Sequence, residues 1–309
     1  MDEQPAFIAL DWGTSFLRAF LVGPDGAILA RHASGHGVLN VAPGGFEAVI
    51  VATLDAWLSK HPALPVLAAG MIGSRQGWRE VPYLACPAGL TELAAGLAVI
   101  PGPTGTSLRI VPGLMHDPGD GAPDVMRGEE TQILGCLAAT ETQARLFVLP
   151  GTHSKWALAA EGKVVWFATF MTGEVYALMA QHGILGRLME GKAEDDAAFR
   201  RGLAAAGSAG GGLLHKLFSA RTLALLGRLP PTGVAAYLSG LLIGTEIAEA
   251  EAVMTALDAP PASVTVIGEA RLARLYCTAL DAGGIAAHLA PADVIVAGLH
   301  RIAIEAGLI

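Results

Sequence analysis

The chain has 309 residues, with 20 Lys and Arg against 28 Asp and Glu, so its formal net charge is −8; 52% of its residues are hydrophobic and 16% are charged. This composition supports a large buried core and argues against long disordered tails. The length exceeds the roughly 250–300 residues at which a single core stops growing, so two domains are expected. The acidic balance, without a cluster of Lys and Arg, excludes a nucleic-acid-binding surface.

Several other classes of protein are also excluded. The longest stretch without charged side chains, 229–245, contains two prolines and three glycines and predicts a buried helix rather than a membrane span. No basic signal-peptide region is visible, and the three cysteines are too far apart for a disulfide framework or zinc ribbon, so we expect a cytoplasmic protein with reduced thiols. The motifs GxxxxGK[ST], GxGxxG, GxSxG and HExxH are absent, and the loop pair His32 and His36 is not expected to bind metal.

Two segments of the chain, 7–30 and 146–167, share one pattern of strand, Gly-Thr turn, strand, x-Gly turn and strand. Their Gly-Thr pairs lie 138 residues apart, and their turn glycines, Gly26 and Gly162, lie 136 apart. Each x-Gly dipeptide supplies the left-handed residue that a hairpin needs. The near-constant offset predicts a duplication, in which two similar α/β domains present their Gly-Thr turns to a shared cleft. Two unrelated hairpins in an α/β protein are the alternative.

Outside these segments the pattern predicts alternating strands and helices. We expect helices over 43–60, 129–142 and 269–280, four helices between 172 and 257, strands over 66–69 and 264–267, and a last helix from Pro291 to near Gly307.

The two Gly-Thr turns are predicted to bind a polyphosphate. Glycine lets the backbone approach a phosphate closely, its N–H groups point outward, and neighbouring hydroxyls add donors. A basic side chain that follows each turn either neutralises phosphate charge or is an ordinary exposed strand residue. The candidate phosphate-binding residues are Gly13, Thr14, Ser15, Arg18, Gly151, Thr152, His153, Ser154 and Lys155.

Three acidic residues are candidates for the chemistry. Asp11 directly precedes the first turn, where a carboxylate can hold Mg²⁺ against the phosphates of ATP, or can simply cap the turn. Glu129 and Glu130 open a helix. Acids there are favoured by the helix dipole, but one of them could instead accept the proton of a substrate hydroxyl. The sequence does not choose between the two glutamates.

A polar and aromatic cluster follows the predicted strand 66–69. Such strand-end loops often bind ligands in α/β proteins, although an ordinary surface loop would have the same composition. The candidate substrate-binding residues are Gly73, Ser74, Arg75, Trp78 and Arg127, of which either arginine could pair with a carboxylate. At a later strand end, Gly268 and Glu269 either receive the nucleotide or form a common βα turn.

Several of these segments resemble known motifs. Residues 11–15, together with Arg18, look like the first phosphate motif of the actin, hexokinase and heat-shock ATPase superfamily, 151–155 occupy the place of its second, and 266–269 that of its adenosine motif. Within that superfamily, the stretches that resemble the 2-dehydro-3-deoxygalactonokinase family are 10–15, 70–78, 126–132, 149–156 and 170–174.

The resemblance implies two ribonuclease-H-like lobes facing an interdomain cleft, with an N-terminal lobe at 1–142, a C-terminal lobe at 143–290 and a helix at 291–309 that packs back toward the N-terminal lobe. It also implies ATP-dependent phosphorylation of the 6-hydroxyl of 2-dehydro-3-deoxy-D-galactonate in galactonate catabolism, with Mg²⁺ positioned by Asp11. Glu129 and Glu130 stand where the superfamily usually has a catalytic Asp. Pro150 replaces an acid that some members carry before the second turn.

Other functions stay open at this point. A kinase for another sugar or 2-keto-3-deoxy acid is the nearest alternative. A nucleotide- or sugar-binding sensor of the same fold would bind its ligand without turnover. A heat-shock-like ATPase would need a peptide-binding domain, for which two lobes leave too little chain. The sequence also leaves a homodimer open.

Overall fold

The computed structural model describes residues 4–102, 107–119, 121–138, 143–191, 194–257 and 263–309. The chain divides into two compact units. Unit 1 comprises Met1–Ala144, Ala157–Phe167 and Pro291–Ile309, and unit 2 comprises Arg145–Trp156 and Ala168–Ala290. None of the described helices combines the length and the apolar character that crossing a bilayer requires.

Strands and short helices alternate in the first half of the chain. In order, the elements are β1 (Phe7–Trp12), β2 (Leu17–Val22), β3 (Ile28–Ser34), α1 (Phe46–Leu58), β4 (Val66–Ala69), β5 (Leu84–Ala85), β6 (Ala88–Gly89), α2 (Leu90–Ala95), β7 (Ala98–Pro101), β8 (Ser107–Ile110), β9 (Leu114–His116), β10 (Asp124–Met126) and α3 (Glu129–Cys136).

The second half contains the longer helices. Its elements are β11 (Arg145–Leu149), β12 (Ser154–Ala160), β13 (Lys163–Phe170), α4 (Thr172–Gln181), α5 (Asp196–Gly207), α6 (Leu213–Leu225), α7 (Pro231–Ala256), β14 (Ser263–Val266), α8 (Ala270–Ala282), β15 (Ala286–Leu289) and α9 (Val294–Glu305).

A mixed sheet with the order β3-β2-β1-β4-β8-β7 forms the centre of unit 1. Strands β1 to β3 are antiparallel neighbours, whereas β4 runs parallel to both β1 and β8. Every residue of β1 is buried, and its alternate residues Ile8, Leu10 and Trp12 share a core with the apolar face of α1. Because β1 and β4 are parallel, the loops that follow them leave the same edge of the sheet.

A second sheet repeats this arrangement, with the order β15-β14-β11-β12-β13-β6, and its strands β11, β14 and β15 belong to unit 2. Strands β11 and β14 are parallel, with Val148 opposite Val266, and β14 is parallel to β15. The carboxyl ends of β11 and β14 therefore lie side by side. This places the segment after Leu149 next to the segment after Val266.

The duplicated hairpins are confirmed as predicted. Gly26 has φ +83° and Gly162 has φ +74°, so each second turn uses the left-handed conformation that the sequence required. The predicted buried helix is α7, which Pro231 opens as its first residue.

Three of the predicted helices have different bounds in the structure. The helix expected over 129–142 ends at Cys136, and 139–142 lie outside the described residues; the helix expected from Pro291 begins at Val294; and the helix expected over 43–60 is confined to Phe46–Leu58.

Candidate active site

The first Gly-Thr turn, Gly13–Phe16, connects β1 to β2. Its carbonyl oxygens point into the unit, since those of Gly13, Thr14 and Ser15 accept hydrogen bonds from the N–H groups of residues 38, 39 and 37 at 3.0, 3.2 and 3.3 Å. Within the described ranges, the N–H groups of Thr14 and Ser15 have no acceptor, and both residues are exposed. The turn therefore presents backbone donors outward, as a phosphate site requires.

Gly37 supports this turn, and the sequence interpretation missed it. A Cβ placed on Gly37 would lie 2.2 Å from the carbonyl carbon of Ser15 and 2.4 Å from the nitrogen of Phe16, so only glycine fits. A signal was available, because Gly37 and Gly173 are 136 residues apart, the same offset as that between Gly26 and Gly162.

Asp11 and Arg18 are opposite each other in the antiparallel pair β1–β2, and their side chains form an ion pair. The Asp11 side chain is 11% exposed and that of Arg18 is 51% exposed. Burial raises the pKa of Asp11 above its ordinary value, and the Arg18 guanidinium partly opposes that shift. The cation of Arg18 thus balances Asp11 in this structure.

Three segments of unit 1 converge beside Asp11. Asp11 is the parallel partner of Ala69 at the end of β4. The next residue, Gly70, has φ +96°, and a Cβ on it would lie 2.9 Å from the carbonyl oxygen of Trp12. A Cβ on Gly128 would in turn lie 3.1 Å from the Cα of Gly70. Close backbone packing therefore brings Asp11, the loop after β4 and the start of α3 together.

Arg127 is buried in this region, and two of its three guanidinium nitrogens have no partner among the described residues. Its Nη2 donates to the carbonyl oxygen of Val81 at 2.6 Å, and its Cζ lies 4.3 Å from the centre of the Tyr83 ring. Its Nε and Nη1 are buried without a hydrogen-bond partner among the described residues. Gly73 leaves room for it, since a Cβ there would lie 3.0 Å from Nη1. A buried cation with two nitrogens that lack an acceptor can bind an anion.

The structure distinguishes the two glutamates that open α3. Glu130 is fully buried, its Oε2 accepts from the Gly128 N–H at 2.7 Å, and its Oε1 accepts from the Thr131 hydroxyl at 2.8 Å. Burial, reinforced by the neighbouring Glu129, raises the pKa of Glu130 to about 7. Glu129 is partly exposed and accepts from the Arg127 N–H at 2.9 Å.

The loop after β4 differs from the sequence expectation at two positions. Ser74 is buried and its hydroxyl donates to the Met71 carbonyl at 2.7 Å. Trp78 packs on the core of unit 1, with its ring stacked on Phe46 at 6.3 Å between centroids. Both side chains are engaged inside the unit, which argues against direct contacts with a substrate. Arg75 is exposed, so its predicted role stays a prediction.

The second Gly-Thr turn lies between β11 and β12 and is supported by the start of α4. A Cβ on Gly173 would lie 2.2 Å from the carbonyl oxygen of Gly151. The Glu174 N–H donates to the Thr152 carbonyl at 2.9 Å, and the Glu174 carboxylate bonds to Nε2 of His153. Gly37 and Gly173 therefore support equivalent turns in the two units.

Two candidate residues that end this turn have different surroundings. Ser154 is fully buried and its hydroxyl donates to Glu246 at 2.7 Å, which argues against its predicted role as a phosphate donor. Lys155 is 5% exposed and forms no ion pair with any described residue. Its cation thus has no carboxylate partner in the described part of the chain.

Gly268 and Glu269 lie beside the second turn. A Cβ on Gly268 would be 3.4 Å from the carbonyl oxygen of Pro150, an ordinary contact distance. The Glu269 carboxylate caps α8 by accepting from the N–H groups of Arg271 and Leu272, and these hydrogen bonds lower its pKa. The predicted adenosine and phosphate segments are therefore neighbours within unit 2.

The predicted residues form one group in each unit. Unit 1 brings together Asp11, the first turn, Gly73, Arg127 and the glutamates of α3; unit 2 brings together the second turn and Gly268–Glu269. No group of three His, Cys, Asp or Glu side chains suited to a metal occurs among the described residues.

Comparisons with known proteins identify the class. A crystal structure from Sinorhizobium meliloti, provisionally assigned as a 2-dehydro-3-deoxygalactonokinase, matches with a TM-score of 0.84 and 37% identity over 96% of this chain and 98% of that one. A provisionally assigned N-acetylglucosamine kinase from Porphyromonas gingivalis shares the fold alone, with a TM-score of 0.50, 12% identity and coverage of 96% and 98%. The expected α/β fold of the actin-like sugar kinases is confirmed. The protein is a kinase, a phosphotransferase with an alcohol group as acceptor.

The family follows from the sequence comparisons. The model of the 2-keto-3-deoxy-galactonokinase family matches residues 11–302. A Rhizobium meliloti (strain 1021) protein named probable 2-dehydro-3-deoxygalactonokinase DgoK1 is 39% identical over 301 residues, or 96% of each chain. The 2-dehydro-3-deoxygalactonokinase of Escherichia coli (strain K12) is 34% identical over 278 residues, or 90% of each chain. The chain belongs to the 2-keto-3-deoxy-galactonokinase family.

Proposed function

We propose that this protein transfers the γ-phosphoryl group of ATP to the 6-hydroxyl of 2-dehydro-3-deoxy-D-galactonate. The observation that carries the substrate class is Arg127, whose Nε and Nη1 are buried and have no hydrogen-bond partner within the described part of the chain. An unsatisfied buried donor costs about 1–3 kcal/mol, and a carboxylate oxygen that accepts from either nitrogen removes part of that cost. The acid group of a sugar acid supplies such a carboxylate, whereas a neutral sugar does not.

The neighbouring glutamates have separate roles in this proposal. Glu129 is partly exposed, so it can reach a substrate hydroxyl and accept its proton during the transfer. Glu130 is completely buried and both its oxygens are hydrogen-bonded, so it positions the turn before α3. Arg127 adjoins this turn, which links carboxylate binding to the placement of the base. The protein's remaining contribution to the transfer is to orient the phosphates of ATP.

The two Gly-Thr turns are proposed to bind the phosphates of the nucleotide. In the first turn the proposed donors are the N–H groups of Thr14 and Ser15; in the second, the turn beginning at Gly151 and the Lys155 cation supply donors and charge. Gly268 and Glu269, beside the second turn, are proposed to border the adenosine.

Asp11 is the residue that would hold Mg²⁺. A single carboxylate fits this ion, because Mg²⁺ in kinases is bound mainly by substrate phosphates and water with one or two carboxylates. When bound, Mg²⁺ neutralises charge on the phosphate oxygens. Without the ion, the positive charge of Arg18 balances the negative charge of Asp11. Arg18 can also turn toward a phosphate, since half of its side chain is exposed.

The test is an ADP-release assay with ATP and either the galactonate-derived or the gluconate-derived 2-keto-3-deoxy acid. We expect rapid ADP formation with the galactonate-derived acid and a product phosphorylated on O6, located by phosphorus NMR. Asp11→Asn should lose most of this turnover while the melting temperature stays within a few degrees. Equal ADP release without any acid, or preference for a neutral sugar, would overturn the proposal.

A further inference from the structure

Glu246 is a buried carboxylate that the proposed reaction does not use. It lies on α7 and is 2% exposed. Its Oε1 accepts from the Ser154 hydroxyl at 2.7 Å and from the Trp156 indole Nε1 at 2.8 Å, and its Oε2 accepts from the Tyr276 hydroxyl at 2.6 Å. The Thr172 hydroxyl also hydrogen-bonds to it. One carboxylate on α7 thus accepts hydrogen bonds from side chains on three other elements, β12, α4 and α8.

Core stability alone does not account for this carboxylate. No Lys, Arg or His forms an ion pair with Glu246 among the described residues, so neutral donors are its partners. Burial raises the pKa of Glu246, and its hydrogen bonds oppose that shift. An apolar side chain of similar volume would pack there without the desolvation cost. The hydrogen bonds of Glu246 must therefore have a role other than stabilising the core.

Three of the four partners of Glu246 adjoin the proposed nucleotide site. Ser154 is the last residue of the second turn before β12 continues. Thr172 is followed by Gly173, which contacts Gly151. Tyr276 lies on α8, whose first residues follow Gly268 and Glu269. Glu246 is therefore the common anchor of the phosphate turn, the segment that supports it and the helix that begins at the adenosine segment.

We propose that Glu246 is a positioning residue for ATP, which holds the second phosphate turn and the start of α8 in one fixed arrangement before the nucleotide binds. The proposal rests on the kinase function proposed above. Without this anchor, the turn would have to be ordered at the moment of binding, which weakens affinity. Glu246 itself touches no nucleotide, so its loss acts through ATP binding and leaves recognition of the sugar acid unchanged.

A matched pair of tyrosine variants tests the proposal in the full-length enzyme. Tyr276→Phe removes one hydroxyl from the carboxylate. Tyr237→Phe removes the hydroxyl of a comparably buried tyrosine, which instead bonds to Ser219 on α6 at 2.7 Å. We expect calorimetry to show a roughly 10-fold weaker Kd for ATP in Tyr276→Phe, in line with other supporting hydrogen bonds. Tyr237→Phe should stay within about twofold, and the KM for the sugar acid should change in neither.

A double-mutant cycle then separates positioning from a general loss of stability. Ser154→Ala and Tyr276→Phe should be non-additive in ATP affinity, because both hydroxyls donate to Glu246 and also lie 3.5 Å from each other in one hydrogen-bonded cluster. Additive effects, or equal weakening by Tyr276→Phe and Tyr237→Phe, would overturn the role of Glu246 while leaving the kinase function intact. If the wild-type enzyme did not bind ATP at all, the proposed function would fail first, and this inference with it.

Discussion

Gly173 lies directly against Gly151, so close that a Cβ on Gly173 would come within 2.2 Å of the Gly151 carbonyl oxygen. Gly37 has the same relation to Ser15 in the other unit, at 2.2 Å from its carbonyl carbon. The duplication thus includes the residue behind each turn as well as the turn itself. In each unit, the backbone that is proposed to bind phosphate is held in place by a glycine more than 20 residues away in sequence.

Gly173→Ala is expected to disable nucleotide use without unfolding the protein. The added methyl group must displace the second turn by about 1 Å, and a misplacement of that size can cost about 100-fold in rate. Steady-state kinetics should show kcat/KM for ATP reduced by about that factor. Gly207→Ala is the control, because a Cβ there meets nothing within 4 Å. Equal kinetics for the two variants would show that the turn tolerates the shift.

Arg127→Met should separate substrate binding from stability. The change removes the donors proposed for the substrate carboxylate, and hydrogen bonds to charged groups contribute about 1.5–3 kcal/mol, so the KM for the sugar acid should rise about 10- to 100-fold. The melting temperature should hold or rise, since an incompletely partnered buried charge is lost. The KM for ATP should not change.

Arg145→Met provides a comparison for this experiment. Arg145 also lies over an aromatic ring, at 5.1 Å from the Phe147 centroid, but it bonds to Thr265 in unit 2. The Arg145→Met variant should have the same KM for the sugar acid as the wild type. A sugar-acid KM that is unchanged in Arg127→Met as well would remove Arg127 from the site.

Exchanging the two glutamates for glutamine should assign the base. Glu129→Gln should lower kcat by about 100- to 10,000-fold, the usual contribution of a general base, with little change in melting temperature. Glu130→Gln should retain most of its activity, because this side chain is buried and acts on the Gly128 turn. The reverse order of the two kcat values would make Glu130 the proton acceptor.

Glu130 should also leave a signature in stability against pH. Its pKa rises from 4.5 to about 7 on folding, so between these values the native state binds more protons than the unfolded chain. Stability contributed by this group is therefore lost as pH rises from about 4.5 to 7, by about 3 kcal/mol, and levels off above. Melting temperatures recorded from pH 5 to 8 should fall less steeply for Glu130→Gln than for the wild type. Parallel curves would contradict the shifted pKa.

Local patterns were sufficient for most of the helices and strands. The duplicated hairpins were predictable because a strand–turn–strand unit depends on neighbouring residues and on a left-handed glycine, as at Gly26 and Gly162. Pro231 likewise marked the start of α7. Helix ends were less predictable, as α3 ends at Cys136 and α9 begins at Val294.

The sequence by itself determined the α/β organisation, the two Gly-Thr turns and the acids beside them, because these follow from periodicity and turn chemistry over short stretches. Only the tertiary structure decided that Ser154 donates to Glu246 and that Glu130 is buried while Glu129 is partly exposed. The same holds for Arg127, whose Nε and Nη1 have no acceptor among the described residues. Adjacent residues on a short helix differ by about 100° in direction, and which direction is buried depends on what packs against the helix. Which side chains are buried, and which residues they contact, depends on segments that are distant in sequence. No local pattern encodes this.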